Sequence, residues 1–215
     1  MKPIKKIIWA FLDLIKIGGP IQLAINSTIK NDGWFISFYS KKAVNRNNEP
    51  IPWFTYPSIK FIDTRLNKEL DVFEFGCGNS TIWFANRVKS IVSVENDNEW
   101  IEAISPKMPP NSKIVYQPLE IDGTYSKECI NQNRKFQVII IDGRDRINCA
   151  KNCFEALSDD GVIIFDNSHT ELYKPAADII FNNGFKRIDF IGLTPIISHE
   201  NTTTIFYRPN NCFNI

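Results

Sequence analysis

The chain has 215 residues and a mass of 24.8 kDa, a length that predicts one domain of ordinary size with an additional element. Its hydrophobic content of 43% and charged content of 23% are typical of globular proteins and exclude a disordered or collagen-like chain. Because 25 basic residues balance 24 acidic ones, the net charge gives no reason to expect a nucleic-acid partner.

The first residues, MKPIKKIIWAFLDLIKIGG, carry an apolar pattern with helical spacing. Ile4, Ile7, Ile8, Phe11 and Ile15 recur at intervals of three and four, which predicts an amphipathic helix. An aspartate interrupts the run, which is too short to span a bilayer and lacks a signal-peptide cleavage motif. Two alternatives explain the apolar face: it packs against its own domain or a second subunit, or it makes peripheral contact with a membrane surface.

Residues 31–56 mix seven aromatic residues with a polar NRNNEP turn. This composition predicts irregular structure or a lid, and its aromatic side chains belong either to the acceptor site or to the core. Pro57 then suits the first turn of a helix through PSIKFIDTRL. We therefore expect an N-terminal extension over residues 1–56 and a main domain over residues 57–215.

In the main domain, short apolar runs alternate with helical patterns. The runs are rich in β-branched and aromatic residues, as buried parallel strands are. They are DVFEFG, SIVSVE, KIVYQ, FQVIIID, GVIIFD, FKRIDFIG and TTTIFYR. This order predicts an α/β fold with a Rossmann-like, doubly wound, mostly parallel seven-stranded sheet whose last strand is antiparallel. Ligands are then expected at the carboxyl ends of the strands.

The most specific motif is VFEFGCGNST. It predicts a strand that contains Glu74, a turn at Gly76 and Gly78, and then a helix. Glycines in such a turn let a ligand approach the backbone. A dinucleotide-binding loop has a third glycine where this chain has Thr81, so an NAD-dependent oxidoreductase is disfavoured. The pattern of Glu74, Gly76 and Gly78 instead resembles motif I of the class I S-adenosylmethionine-dependent methyltransferases.

The resemblance extends over about residues 55–208 and implies a site for S-adenosylmethionine. In this family the cofactor lies along the glycine loop and the tips of the neighbouring strands. The implied cofactor-binding residues are Glu74, Gly76, Cys77, Gly78, Asn79, Ser80, Glu95, Asn96, Asp142 and Gly143, with Thr55 or Tyr56 reaching the cofactor's carboxylate. Glu95 ends the second strand, where a carboxylate can accept hydrogen bonds from both ribose hydroxyls. The alternative is that Glu95 caps the helix that follows.

Oxygen ligands follow the fourth and fifth predicted strands. Asp142 ends one, and Asp166 and Asn167 end the other, so adjacent strand tips bring together three groups of the kind that bind Mg²⁺. The pattern is similar to the metal-dependent O-methyltransferases of the catechol and caffeoyl-CoA kinds. That resemblance implies a metal site at Asp142, Asp166 and Asn167, where the ion would activate a hydroxyl acceptor. The alternative is that Asp166 and Asn167 only begin the next helix.

The general base departs from that pattern, because Asp145 stands where those enzymes carry a lysine. The predicted catalytic residues are Asp142, Asp145 and His169, and an unperturbed imidazole pKa near 6.5 suits a base. Alternatively, His169 is only a surface residue. Arg144 and Arg146 flank the same tip. They either hold an anionic acceptor or pair with neighbouring acids.

Together these features predict a methyltransferase that acts on a hydroxyl of a small-molecule or glycan acceptor, with S-adenosylmethionine as cofactor and Mg²⁺ assisting. Nucleic-acid amino methylation is disfavoured, because IIIDGRDR differs from the D/N-P-P-Y motif of those enzymes. The alternatives are a protein acceptor and a non-catalytic protein that uses the fold to bind a partner. The oligomeric state is not predicted.

The five cysteines are odd in number and lack CxxC spacing, so neither a disulfide framework nor a zinc site is expected. Cys149 and Cys153 lie four residues apart on a predicted helix and are interpreted as packing residues. This cysteine usage favours a reducing, cytoplasmic compartment, with membrane association if the first helix lies on a bilayer.

Overall fold

The computed structural model describes residues 3–215 and contains the predicted α/β sheet. The strands are β1 Asp71–Phe75, β2 Ser90–Glu95, β3 Ser112–Tyr116, β4 Phe136–Ile141, β5 Leu157–Asp166, β6 Lys186–Leu193 and β7 Glu200–Tyr207. Their order is β3-β2-β1-β4-β5-β7-β6. β1 to β5 run parallel, and β7 is antiparallel to both β5 and β6. The predicted topology is therefore confirmed.

Helices precede the sheet and connect its strands. They are α1 Pro3–Leu14, α2 Gly18–Ile25, α3 Thr28–Asp32, α4 Trp34–Ser40, α5 Tyr56–Asp63, α6 Asn79–Ala85, α7 Asn98–Ile104, α8 Thr124–Asn131, α9 Arg146–Ala156 and α10 Lys174–Asn182. Cys149 and Cys153 are fully buried on α9, as packing residues should be. Among the helices that follow β1, α8 is the one that the apolar pattern did not indicate.

Two apolar layers cover the sheet. On one face, Phe75, Ile141 and Phe165 pack with residues of α8, α9 and α10. On the other face, the alternate strand residues, such as Val138, pack with α5, α6 and the segment around Phe54. The central strands β1, β4 and β5 are buried on both faces, which explains why their sequences are continuous apolar runs rather than alternating ones.

The strand register aligns the polar residues at the carboxyl edge. Phe75 pairs with Val94 on one side and with Ile141 on the other, and Ile141 pairs with Phe165. The residues that end or follow these strands, from Glu95 to Asp166, therefore form one row. The row crosses the point between β1 and β4 where the strand order reverses, which is where doubly wound sheets bind ligands.

The N-terminal amphipathic helix is confirmed as α1, although Met1 and Lys2 lie outside the described residues. The prediction of irregular structure over residues 31–56 is wrong in part, because Trp34–Ser40 is helical. Gly33 has φ +94°, a left-handed conformation that glycine adopts without strain and that separates α3 from α4. Trp34 and Phe38 then stack one helical turn apart, with ring centroids at 4.9 Å.

The segment between α4 and α5 is irregular, as predicted, and it is tied to the main domain. Phe54 is fully buried in the core. The side-chain amide of Asn79, at the start of α6, donates a hydrogen bond of 2.8 Å to the carbonyl of Ala43. The segment therefore lies against the glycine loop. The predicted division of the chain at residue 56 stays a prediction.

Candidate active site

A cleft of about 500 Å³ opens at the carboxyl edge of the sheet, where the row of polar strand ends lies. It is lined mainly by the ends of β1, β2, β4 and β5 and by the residues that follow them. Its lining includes Glu74, Gly76, Cys77, Ser80, Glu95, Asn96, Asp142, Gly143, Arg144, Arg146, Asp166 and Asn167, with Trp53, Trp100, Tyr125, Tyr173 and Ile197 around them. Most of the residues predicted to bind the cofactor therefore meet at one place.

The floor of the cleft is a close contact between two strand ends. Gly76 has φ +97°, and a Cβ there would lie 3.2 Å from the Cα of Gly143. A Cβ on Gly143 would lie 2.0 Å from the hydroxyl oxygen of Tyr125 and 2.8 Å from the amide nitrogen of Gly76. Only glycines allow this approach, so Gly143 is explained by contacts within the protein rather than by a ligand.

Gly78 has a different role. Its φ of 170° is ordinary extended backbone, and a Cβ there would meet only the Trp100 ring at 3.8 Å. No described residue therefore requires a glycine at this position. The space that a side chain would fill is open, and the Trp100 indole beside it is fixed by a hydrogen bond of 2.8 Å to the carbonyl of Cys77.

Glu74 holds the glycine loop in place from beneath. Its fully buried carboxylate accepts hydrogen bonds from the hydroxyls of Ser80, Thr81 and Ser93. Burial raises the pKa of Glu74 to about 7, and the three hydroxyl donors oppose that rise. The Thr81 hydroxyl also accepts the Gly78 amide at 3.0 Å. This explains why threonine, rather than a third glycine, follows the loop.

Glu95 joins the loop to the end of β2. Its carboxylate accepts the amides of Cys77 at 3.2 Å, Asn96 at 2.7 Å and Asp97 at 3.1 Å. The helix cap of α7 is Asp97, which accepts the Trp100 amide. The half-exposed carboxylate of Glu95 is therefore oriented by backbone donors and faces the cleft, as a group that receives a ligand's hydroxyls would be.

Arg146 links the tips of β4 and β5. Its guanidinium donates to the Asp142 carboxylate at 3.1 Å, to the Asn167 side-chain oxygen at 3.0 Å and to the carbonyls of Asp142, Gly143 and Asp166. The side chain is buried. Arg146 therefore stabilises the site from within, and it is not the free anion-binding group that one alternative described.

Asp166 is buried next to this pair. Its carboxylate accepts a hydrogen bond of 2.6 Å from the Thr203 hydroxyl, and Thr203 is its partner across the β5–β7 pairing. Burial raises the pKa of both Asp142 and Asp166, and the charge of Asp142 raises that of Asp166 further. The single guanidinium of Arg146 lies near both carboxyl groups. Asp142 and Asp166 together therefore hold a proton more readily than ordinary aspartates do.

The side chains of Asp142, Asp166 and Asn167 are not arranged to bind the predicted metal ion. The Arg146 guanidinium already contacts both Asp142 and Asn167, and a cation between them would face a fixed positive charge. Asp166 is bound to Thr203 instead. Among residues 3–215, no group of three acidic, histidine or cysteine side chains is placed to hold a metal ion. The magnesium prediction receives no support.

The structure does not bring the other predicted site residues to the cleft lining. The Asp145 carboxylate points to the amide of Asp122 at 2.9 Å and to the side chain of Asn148 at 2.8 Å. His169 is exposed after β5. The Tyr56 hydroxyl is buried, which raises its pKa. Thr55 is the helix cap of α5. Of the three predicted catalytic residues, only Asp142 lines the cleft.

Several lining residues had no sequence signal. Tyr125 lies on α8, whose pattern was not recognised, and its hydroxyl accepts the Arg144 amide at 3.2 Å. Trp53 and Ile197 come from the irregular segment and from the loop between β6 and β7. The Trp34 indole fixes that loop by donating to the Ile197 carbonyl at 2.7 Å. The composition of residues 31–56 predicted aromatic side chains at the acceptor site or in the core, but it did not single out Trp53.

Comparison with solved structures identifies the fold. The chain is similar to a precorrin-6y C5,15-methyltransferase from Geobacter metallireducens, with a TM-score of 0.57 and 13% identity over 70% of this chain and 86% of that one. A precorrin 8w decarboxylase from Methanobacterium thermoautotrophicum matches with a TM-score of 0.53 and 14% identity, over 79% and 97% of the two chains. The chain has the class I methyltransferase fold.

A third similar structure, from Streptococcus mutans, is described as a putative methyltransferase in complex with SAH, the abbreviation for S-adenosylhomocysteine. It has a TM-score of 0.50 and 13% identity over 71% of this chain and 96% of that one. No protein-family model and no curated protein matches the sequence. At these identities, the methyltransferase fold is what the comparison establishes.

Proposed function

We propose that this protein is an S-adenosylmethionine-dependent methyltransferase that methylates a hydroxyl group of a small polar or saccharide acceptor. The observation that carries the proposal is the Glu95 carboxylate, which three backbone amides orient at the lining of the cleft beside the glycine loop. At Gly78 of this loop, an added Cβ would meet only the Trp100 ring, at 3.8 Å. Bound S-adenosylmethionine would supply a methyl group on a positively charged sulfur.

The residues of the cleft would bind that cofactor in separate ways. Glu95 would accept the hydroxyls of its ribose, with the amides of Cys77, Asn96 and Asp97 keeping the carboxylate in position. The exposed Trp100 ring lies beside the loop and offers an apolar surface to the adenosine portion. Glu74 would act indirectly, because its oxygens already bind the three loop hydroxyls.

Asp142 is the group best placed to take the acceptor's proton. In methyl transfer the acceptor oxygen bonds to the methyl carbon, the carbon–sulfur bond breaks with its electron pair going to sulfur, and the hydroxyl proton must leave. Arg146 contacts one carboxylate oxygen of Asp142, and within residues 3–215 the other oxygen makes no hydrogen bond. Its burial-raised pKa makes Asp142 a stronger base than an exposed aspartate.

Arg144 favours an acidic acceptor. Its side chain is exposed at the cleft and makes no salt bridge with any residue in the described part of the chain, whereas Arg146 is fully occupied. A free guanidinium there suits a carboxylate or phosphate on the acceptor. Trp53 and Tyr173 provide aromatic surfaces at the same opening, which suits a sugar ring.

The first test is calorimetric titration of the purified protein with S-adenosylhomocysteine, which needs no acceptor. Micromolar binding that is lost in Glu95→Ala would support the cofactor site. Absence of binding by the folded protein would overturn the proposal and favour a non-catalytic protein. Methyl transfer from labelled S-adenosylmethionine to neutral and acidic sugars then tests the acceptor, and Arg144→Gln should reduce transfer to the acidic sugars selectively.

A further inference from the structure

The N-terminal arm, defined here as residues 3–25, exposes a large apolar surface that the rest of the chain does not cover. In α1 the exposed side chains include Ile4, Ile7, Phe11 and Leu14, with exposed fractions between 59% and 78%. They lie on one face of the helix. In a monomer in water, an exposed apolar surface of this kind indicates a partner that covers it.

The second half of the arm is apolar on most sides. α2 and its flanking turn contain no charged residue between Ile17 and Asn26, and Ile17, Leu23 and Ile25 are exposed. In the described part of the chain, no single helix is long and apolar enough to cross a membrane. Ile4–Leu14 and Gly18–Asp32 pass that test of length and composition only as a pair, bent by 118°.

The charge of the arm distinguishes between the possible partners. Residues 3–25 contain three lysines and a single acidic residue, Asp13. Lys5, Lys6 and Lys16 are exposed beside the apolar face. A second copy would bring like charges together, whereas an anionic lipid surface attracts them. Lysine stems can also reach the headgroup level while the apolar face is immersed.

We infer that residues 3–25 bind the surface of an anionic lipid bilayer, with the apolar face of α1 in the headgroup–acyl boundary and the lysines at the headgroups. This inference does not depend on the proposed function. The arm is connected through α3 to α4, where Trp34 is hydrogen-bonded to Ile197 at the cleft. A chain bound through the arm therefore has its cleft close to the membrane surface.

The experiment is flotation of the full chain with vesicles of phosphatidylcholine alone and of phosphatidylcholine mixed with phosphatidylglycerol. Ile7→Glu/Phe11→Glu should abolish binding to the mixed vesicles. The matched control, Ile121→Glu/Phe181→Glu, makes the same replacements at side chains that are 91% and 57% exposed outside the arm, and it should bind like the unaltered protein. Lys5→Gln/Lys6→Gln should weaken binding about 30-fold. Circular dichroism checks that all variants fold.

Three results would overturn the inference. The first is equal binding to both vesicle compositions. The second is loss of binding in the control variant together with the arm variant. The third is no vesicle binding, combined with self-association in solution that Ile7→Glu/Phe11→Glu abolishes, which would identify a second copy as the partner of the arm.

Discussion

Gly143 in the cleft lining and Gly78 in the glycine loop lead to opposite predictions when each is replaced by alanine. At Gly143 the added methyl would overlap the Tyr125 hydroxyl, the amide of Gly76 and the carbonyl carbon of Phe75, at 2.0, 2.8 and 2.9 Å. Tyr125 is fully buried, so moving it aside would disturb the core. At Gly78 the methyl meets only the Trp100 ring, at 3.8 Å, in a backbone conformation that alanine adopts freely.

The structure gives different magnitudes for the two replacements. Overpacking of this kind costs about 1–3 kcal/mol, and displacing Tyr125 would also break its hydrogen bond with Arg144, so we expect Gly143→Ala to lower the free energy of unfolding by about 2–4 kcal/mol. Gly78→Ala should cost less than about 1 kcal/mol, because alanine is a poorer N-cap than glycine but its methyl has room. It should, however, weaken binding of S-adenosylhomocysteine at least about tenfold if the ligand lies against the loop.

Urea denaturation measures the first quantity and calorimetric titration the second. A matched variant, Gly143→Ala/Tyr125→Phe, removes the 2.0 Å overlap but leaves the backbone overlaps, so it should cost less than the two single variants together. Wild-type stability of Gly143→Ala would refute the close approach of the two strand ends. Wild-type affinity of Gly78→Ala would show that no ligand occupies the space beside the loop.

Three further predictions concern charge. Glu95→Gln should weaken S-adenosylhomocysteine binding by about 1.5–3 kcal/mol in the same titration, and Glu99→Gln, on the exposed surface of α7, should leave it unchanged. Burial raises the pKa of Glu74 to about 7, so the folded protein binds that proton more tightly than the unfolded chain. The free energy of unfolding should therefore fall by up to about 3 kcal/mol as pH rises from about 4.5 to about 7, and Glu74→Gln should lack this decline in urea titrations at several pH values. Because Arg146 contacts the predicted metal ligands, neither EDTA nor millimolar Mg²⁺ should change the melting temperature. A shift with Mg²⁺ would contradict the conclusion that Arg146 takes the place of a metal ion at this site.

The centre of the sheet was predictable because β1, β4 and β5 are buried on both faces. Such strands must be continuous runs of apolar, β-branched residues, and the chain has few such runs elsewhere. α8 was not predictable in the same way, since TYSKECIN has no clear apolar period. It buries Glu128, whose carboxylate is held by Gln117, Asn131 and Gln132 rather than by apolar contacts. A helix that buries a carboxylate beside its few apolar residues, Tyr125 and Cys129, carries a weak hydrophobic signal.

The position of the site could also be predicted, because parallel strands end at one edge and the residues at those ends must meet. The contacts among those residues could not. Spacing alone did not show that Gly143 is required by Gly76 and Tyr125, or that the Asp145 carboxylate points to Asp122. Both contacts depend on chain segments that are distant in sequence.

Arg146 shows how one such contact changes the chemistry inferred for the site. Asp142, Asp166 and Asn167 at two adjacent strand tips indicate a metal site as long as nothing positive lies between them. Arg146 begins α9, four residues after Asp142, and its guanidinium reaches across to the tip of β5. It supplies the positive charge that an ion would otherwise bring. It also leaves the half-buried carboxyl group of Asp142 and the buried one of Asp166 with one guanidinium, and such a set holds a proton more readily than ordinary aspartates do. Asp142 and Asp166 therefore form a pair with a raised affinity for a proton rather than an ion-binding site, and the proposed role of Asp142 as a base rests on that raised affinity.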